Sequence, residues 1–132
     1  MKVLLDTHIL LWTLFDNKKL SSSAAEIIEN YDNDIFYSIA SLWEIQIKHT
    51  KHPDLMPYSA KEIYEVLSTD SDIQMVNIET KHLVQLGNII KEEIHNDPFD
   101  HIILSTAKCD EYKLITHDKE MAKYKGIDAL VV

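Results

Sequence analysis

Short apolar runs alternating with amphipathic stretches along 132 residues predict an α/β fold, a doubly wound and mainly parallel sheet of four to five short strands flanked by helices. Three observations carry that expectation. Lys2–Leu5, Ile35–Tyr37, Ile73–Ile78, Lys113–Thr116 and Ala129–Val132 have the length and apolar character of strands. The segments between them space their large apolar residues at the helical period. With only two glycines and three prolines there is no linker, repeat, low-complexity tract or glycine-rich phosphate loop, so residues 1–132 read as one domain around one sizeable core.

The elements follow in order. Lys2–Leu5 runs into Asp6, and Thr7–Phe15 continues as a helix. Ser21–Ser23 with Glu26 has the form of a capping box and opens a helix that ends near Tyr31. After the polar turn Asp32–Asp34 come the strand at Ile35–Tyr37 and a helix over Ile39–Lys51, stopped before Pro53. Ser59 with Glu62 forms a second capping box, starting a helix to about Ser68. A third strand and a helix over Thr80–Ile94 follow. Asp97-Pro98-Phe99-Asp100 combines an N-cap, a proline at the first helical position and a first-turn acid, for a helix to about Cys109. The strand Lys113–Thr116, a short helix over Asp118–Tyr124 and the strand Ala129–Val132 complete the chain.

Composition excludes several classes. The longest apolar stretches fall far short of the roughly 20 residues that cross a bilayer, so no membrane span is expected. Asp6 interrupts the N-terminal apolar run, which places the mature start near Met1. A single cysteine, Cys109, permits no internal disulfide and suits a reducing compartment, so a cytoplasmic location is expected; at a helix end the thiol reads as inert core. The formal net charge of -9 argues against nucleic acid unless bound divalent cations reverse the sign locally.

Ligands of an open α/β sheet bind outside the carboxyl ends of its strands. Asp6 follows the first strand directly, and Asp118 comes two residues after Thr116, which puts both on one rim. Asp100 sits in the first turn of its helix. Glu44 lies between Trp43 and Ile45, where an unpaired carboxylate is costly to bury. Each has a plainer explanation: Asp6 and Asp118 as helix caps, Asp100 as a first-turn acid, Glu44 as a solvent-facing residue. Four acids placed where a doubly wound fold can gather them weigh against all four being accidental.

The runs Val3-Leu4-Leu5-Asp6-Thr7-His8, Ser41-Leu42-Trp43-Glu44-Ile45, Asp97 through Ala107, and Leu114-Ile115-Thr116-His117-Asp118 resemble, in order and over nearly the whole chain, the successive motifs of PIN-domain proteins. They are most similar to the VapC-type toxins of bacterial toxin-antitoxin pairs. The resemblance implies a metal-dependent endoribonuclease whose catalytic and metal-binding acids are Asp6, Glu44, Asp100 and Asp118. It implies Thr116 as the hydroxyl residue accompanying the last acid, with Thr7 a further accessory candidate. Asp97 is either an additional ligand or only a cap. Lys48, Lys51 and His101 are candidate RNA contacts, His101 standing where relatives often carry arginine. An antitoxin protein and a homodimer are the implied partners. All-oxygen ligands suit Mg²⁺ or Mn²⁺ rather than zinc, and in-line hydrolysis assisted by such ions would leave a 5′-phosphate and a 3′-hydroxyl.

The remaining histidines, His49, His52, His95 and His117 among them, lack metal-site spacing and read as surface residues. Leu11, Trp12, Leu14, Phe15 and Trp43 read as core, whereas the resemblance makes part of this apolar surface a partner contact. Two rival functions differ in class. A phosphoacceptor receiver domain also gathers acids at strand ends, but it wants paired acids after the first strand and an acceptor after a later one; here Asp6 stands alone and Ser38 ends the second strand. A catalytically inactive PIN fold serving as an RNA-binding protein would have no need of all four acids.

Overall fold

The computed structural model describes residues 1–132. Five strands, β1 (Lys2–Leu5), β2 (Asp34–Ser38), β3 (Gln74–Val76), β4 (Lys113–Thr116) and β5 (Asp128–Val131), form one sheet in the order β3-β2-β1-β4-β5. Every neighbouring pair is parallel, with Leu5 opposite Tyr37 on one side and Ile115 on the other. The helices are α1 (Thr7–Phe15), α2 (Ser22–Glu29), α3 (Ile39–Lys51), α4 (Ala60–Thr69), α5 (Thr80–Ile90) and α6 (Pro98–Asp110). None is long and apolar enough to cross a membrane.

Because alternate strand residues face opposite sides, β1 divides its three buried side chains between two cores. Val3 and Leu5 join Ile9, Leu10, Ile45, Ile63 and Leu67 from α1, α3 and α4. Leu4 points the other way, onto Ile89, Ile103, Leu104 and Ala107 of α5 and α6. The sheet is thus covered on both faces, as parallel sheets require, and the mainly parallel expectation becomes an all-parallel one. Its order also differs from the 2-1-3-4-5 arrangement of receiver-type folds.

The N-caps follow their chemistry. Ser38 accepts from Ala40 N at 3.1 Å to start α3, and Ser59 and Glu62 form the expected reciprocal box on α4. The box expected from Ser23 and Glu26 does not form: Ser21 is the cap, accepting from Ala24 N. α5 stops at Ile90 rather than Ile94 because Glu93 takes a left-handed backbone (φ 54°) that no helix continues. Asp118–Tyr124 is not a helix but contains a 3₁₀ turn at Met121–Lys123; the Asp118 carboxylate accepts from Glu120 N at 2.9 Å, a local bond that competes with helix formation. A second 3₁₀ turn, Asn17–Lys19, had no sequence signal.

Core packing holds for Leu11, Trp12 and Leu14, which lie against the first core. Phe15 is exposed and stacks on Tyr58 with ring centroids 4.1 Å apart. Trp43 is 60% exposed, with its ring edge-on to Phe99, so the core expectation fails for it: Glu44 and Ile45 point inward, which turns Trp43 out of the same helix. Cys109 is half-buried beside Lys81 O.

Leu4 is fully buried in the central strand. Leu4→Ala should lower the free energy of unfolding by about 2–5 kcal/mol in a urea titration, whereas removing exposed Leu55 should change it by less than about 0.5 kcal/mol.

Candidate metal centre

The order β3-β2-β1-β4-β5 reverses direction between β1 and β4, where the chain leaves toward opposite faces and opens a crevice at the strands' carboxyl ends. Asp6 and Asp118 stand there. Asp6 N donates to Ile115 O at 3.0 Å, extending the ladder by one bond and fixing the residue at the rim. Its Oδ1 accepts from Ile9 N at 2.9 Å, which caps α1, while Oδ2 accepts from the Thr116 hydroxyl and from His117 N. The Thr116 hydroxyl also accepts from Asp118 N at 3.0 Å, so one buried side chain connects both strand-end acids. Asp6 therefore caps α1 and also lines the acidic cleft.

Two helices bring the remaining acids. Glu44, on the inward face of α3, is 5% exposed. Its Oε2 pairs with Lys48 Nζ at 2.8 Å one turn on, and its Oε1 is buried with no hydrogen-bond partner. At the start of α6, Asp97 Oδ1 accepts from Phe99 N at 2.9 Å and Asp100 N at 3.3 Å. The cap role is therefore real, and Asp97 also lines the cleft.

Five carboxylates, Asp6, Glu44, Asp97, Asp100 and Asp118, surround a cleft of about 360 Å³ with Thr7, His8, Lys48 and His117, and no apolar side chain lines it. Thr7 is buried, its hydroxyl 2.9 Å from Ser41 Oγ, which ties α1 to α3 beneath the acids. A larger cavity of about 440 Å³ lies at the opposite rim, between Ile28 and Gln74, at the amino ends of β2 and β3. It holds none of these groups.

One grouping at the cleft includes a residue that no motif contained. Ligand atoms of His95, Asp100 and Asp118 lie within 4.8 Å of one another. His95, expected at the surface, is half-buried and reaches Asp100 Oδ2 through Nε2 at 3.1 Å. It belongs to no helix or strand, so periodicity could not place it; its only signal was a histidine two residues before the capping Asp97. His101 departs from expectation in the other direction. It is 7% exposed, its Nε2 is held against His95 O at 2.7 Å, and it offers no cation to the cleft. The cause is that α6 is buried all round from His101 to Ala107, so no position there faces outward. Lys48 lines the cleft, whereas Lys51 lies beyond it beside Trp43 and Thr50.

Electrostatics record the crowding. Burial raises the Asp6 carboxyl above its ordinary value despite the Thr116 hydrogen bond. Burial, reinforced by the negative charge of Asp97, raises Asp100 from 3.8 to about 6, against the opposing hydrogen bond from His95. Oxygen ligands in excess of their protein donors, with one buried carboxylate oxygen left unpartnered, fit a hard divalent cation.

A carboxyl whose folded pKa is raised penalises the folded state once ionised, fully above the folded value and not at all below the unfolded one. Asp100→Asn should therefore stabilise the chain in chelator at pH 7 by roughly 1–3 kcal/mol, and the gain should vanish by pH 3. Paired denaturant titrations at the two pH values measure it; an unchanged or lowered stability at pH 7 contradicts the crowding.

Comparison with known proteins agrees with this architecture. The chain is similar in fold to VapBC2 from Rickettsia felis bound to a promoter DNA fragment, at 15% identity with a TM-score of 0.73, covering 99% of this chain and 98% of that one. It is likewise similar to DNA-bound VapBC from Salmonella typhimurium, at 19% identity, TM-score 0.71 and coverage of 99% and 98%. A toxin-antitoxin complex from Klebsiella pneumoniae matches at 21% identity, TM-score 0.60 and coverage of 95% and 94%. No curated protein matches the sequence. Residues 3–127 match the PIN domain, and with the all-parallel sheet and its acidic crevice in place, the chain belongs to the PIN-domain family.

Proposed function

We propose that the chain is a divalent-metal-dependent endoribonuclease acting as the toxin of a toxin-antitoxin pair in the cytoplasm, with residues 1–132 working as one PIN unit. The observation that carries the reading is the buried, unpartnered Glu44 Oε1 in a cleft walled by four further carboxylates. A fold cannot tolerate that arrangement cheaply unless a cation completes it. The fold shared with chains of toxin-antitoxin complexes supports the biological role.

Asp6, Glu44, Asp100 and Asp118 would hold Mg²⁺ or Mn²⁺, with Asp97 contributing at the rim. When bound, the cation would lower the pKa of an attacking water and offset charge on the phosphodiester, giving a 5′-phosphate and a 3′-hydroxyl. The chain's own residues do the positioning. Asp6 is immobilised by three donors, and Thr116 transmits that rigidity to Asp118. Lys48, paired with Glu44, is the one lysine on the cleft wall and is placed to meet a phosphate oxygen. The exposed rings of His8 and His117 border the same opening. Lys51 would reach RNA only beyond the cleft. Exposed Trp43 and the Phe15–Tyr58 stack offer apolar surface for an antitoxin segment or a second copy of the chain.

Incubating the purified chain with RNA should give cleavage that requires Mg²⁺ or Mn²⁺ and stops in EDTA. Asp6→Asn and Asp118→Asn should each lower the rate by ~100-fold or more, corresponding to loss of several kcal/mol of cation-dependent stabilisation, with far-UV circular dichroism unchanged. Wild-type rates in both variants, or cleavage indifferent to chelation, would contradict the proposal.

A further inference from the structure

Asp100 faces the cleft with like charges beside it, from Asp97 and Glu44. Repulsion alone would swing such a side chain toward water. The only protein hydrogen bond to its carboxylate comes from His95 Nε2 at 3.1 Å. Because an ionised carboxylate can only accept, Nε2 is the donor of this contact. Tyr124 Oη lies 2.7 Å from His95 Nδ1, and its hydroxyl also reaches His95 O at 3.4 Å. The same hydroxyl accepts from His95 N at 3.3 Å, so ring and backbone of one residue are gripped by one phenol. His101 closes the arrangement from behind, donating from Nε2 to His95 O at 2.7 Å. Tyr124 and His101 are buried, so their positions are set by the second core rather than by solvent.

We infer that His95 is a positioning residue for Asp100, the middle of a Tyr124–His95–Asp100 relay that holds the carboxylate's free oxygen toward the cation site. The inference rests on the nuclease reading above. His95 is not among the residues lining the cleft, whereas Asp100 and Asp118 are; its Nε2 is engaged with Asp100 Oδ2, close to the ligand oxygen of Asp118. Hydrogen-bond partners of metal-ligating carboxylates typically govern metal affinity in this way. The relay also gives the inward turn of His101 a purpose: a residue lost to the substrate side fixes the loop that carries His95.

The test is Mn²⁺ binding to the full chain, followed by electron paramagnetic resonance of the free ion and requiring no RNA. His95→Ala should weaken binding by ~10-fold, and His95→Gln, which keeps an N–H donor but loses the imidazole, should restore most of it. Unchanged affinity in His95→Ala overturns the relay, and so does His95→Gln as weak as His95→Ala, which would make the ring itself a metal ligand. Should His95→Ala fail to fold, Tyr124→Phe decides: a several-fold loss supports the relay and wild-type affinity overturns it. A wild-type chain that binds no Mn²⁺ overturns the nuclease reading as well, an outcome distinct from one in which the wild type binds and only the variants are unaffected.

Discussion

Mutual repulsion among five carboxylates in one cleft is the constraint on which the rest of this structure depends. Two strand ends and two helices deliver them, and each must be held against both desolvation and its neighbours. Burial raises the carboxyls of Asp6 and Asp100 alike, and at Asp100 the charges of Asp97 and Glu44 add to the rise. A fold that keeps such a cluster gives up stability at a site where a cation could return it, in keeping with the usual tension between stability and function.

The holding devices are economical. Asp6, Asp97 and Asp118 each commit an oxygen to local backbone N–H groups, which secures the carboxylate and starts or tightens the segment that follows. The positions of Asp6 and Asp97 at the amino ends of α1 and α6 also set negative charge where the helix dipoles favour it. Thr116 spans the gap between β1 and β4, donating to Asp6 and accepting from Asp118 N. The parallel pairing of those two strands, with Leu5 beside Ile115, makes that span possible. Packing therefore leads directly to chemistry: shifting β4 by one residue would exchange buried Thr116 for His117 and separate the two rim acids.

Much of this could be read from the residues, for identifiable reasons. Asp6 and Asp118 terminate apolar runs, and the ends of such runs in a parallel sheet lie on one rim. Pro98 behind Asp97 marks a helix start unambiguously. Glu44 was harder, because helical spacing left it facing either way; the inward turn of Ile45 and the outward turn of Trp43 settle it. What sequence could not supply was the content of irregular segments. His95 and Tyr124 lie 29 residues apart; His95 falls in an irregular segment and Tyr124 just after a 3₁₀ turn where a helix was expected, so no spacing along the chain joins them. His101 was misjudged because α6 has no exposed face from His101 to Ala107, so the usual division into inner and outer positions does not apply.

The formal charge of -9 becomes intelligible on the same terms. Several of the negative charges are concentrated where cations would be held, and Lys48 stands beside them on the cleft wall. The account turns on whether a divalent ion occupies that crevice. A crystal of the chain grown with Mn²⁺ and measured at the manganese absorption edge answers the question directly. The account predicts an anomalous peak bounded by Asp100, Asp118 and the oxygens of Asp6 and Glu44. Anomalous density confined to the Glu79–His82–Asp110 cluster at the other end of α6, or none in the acidic crevice, would contradict it.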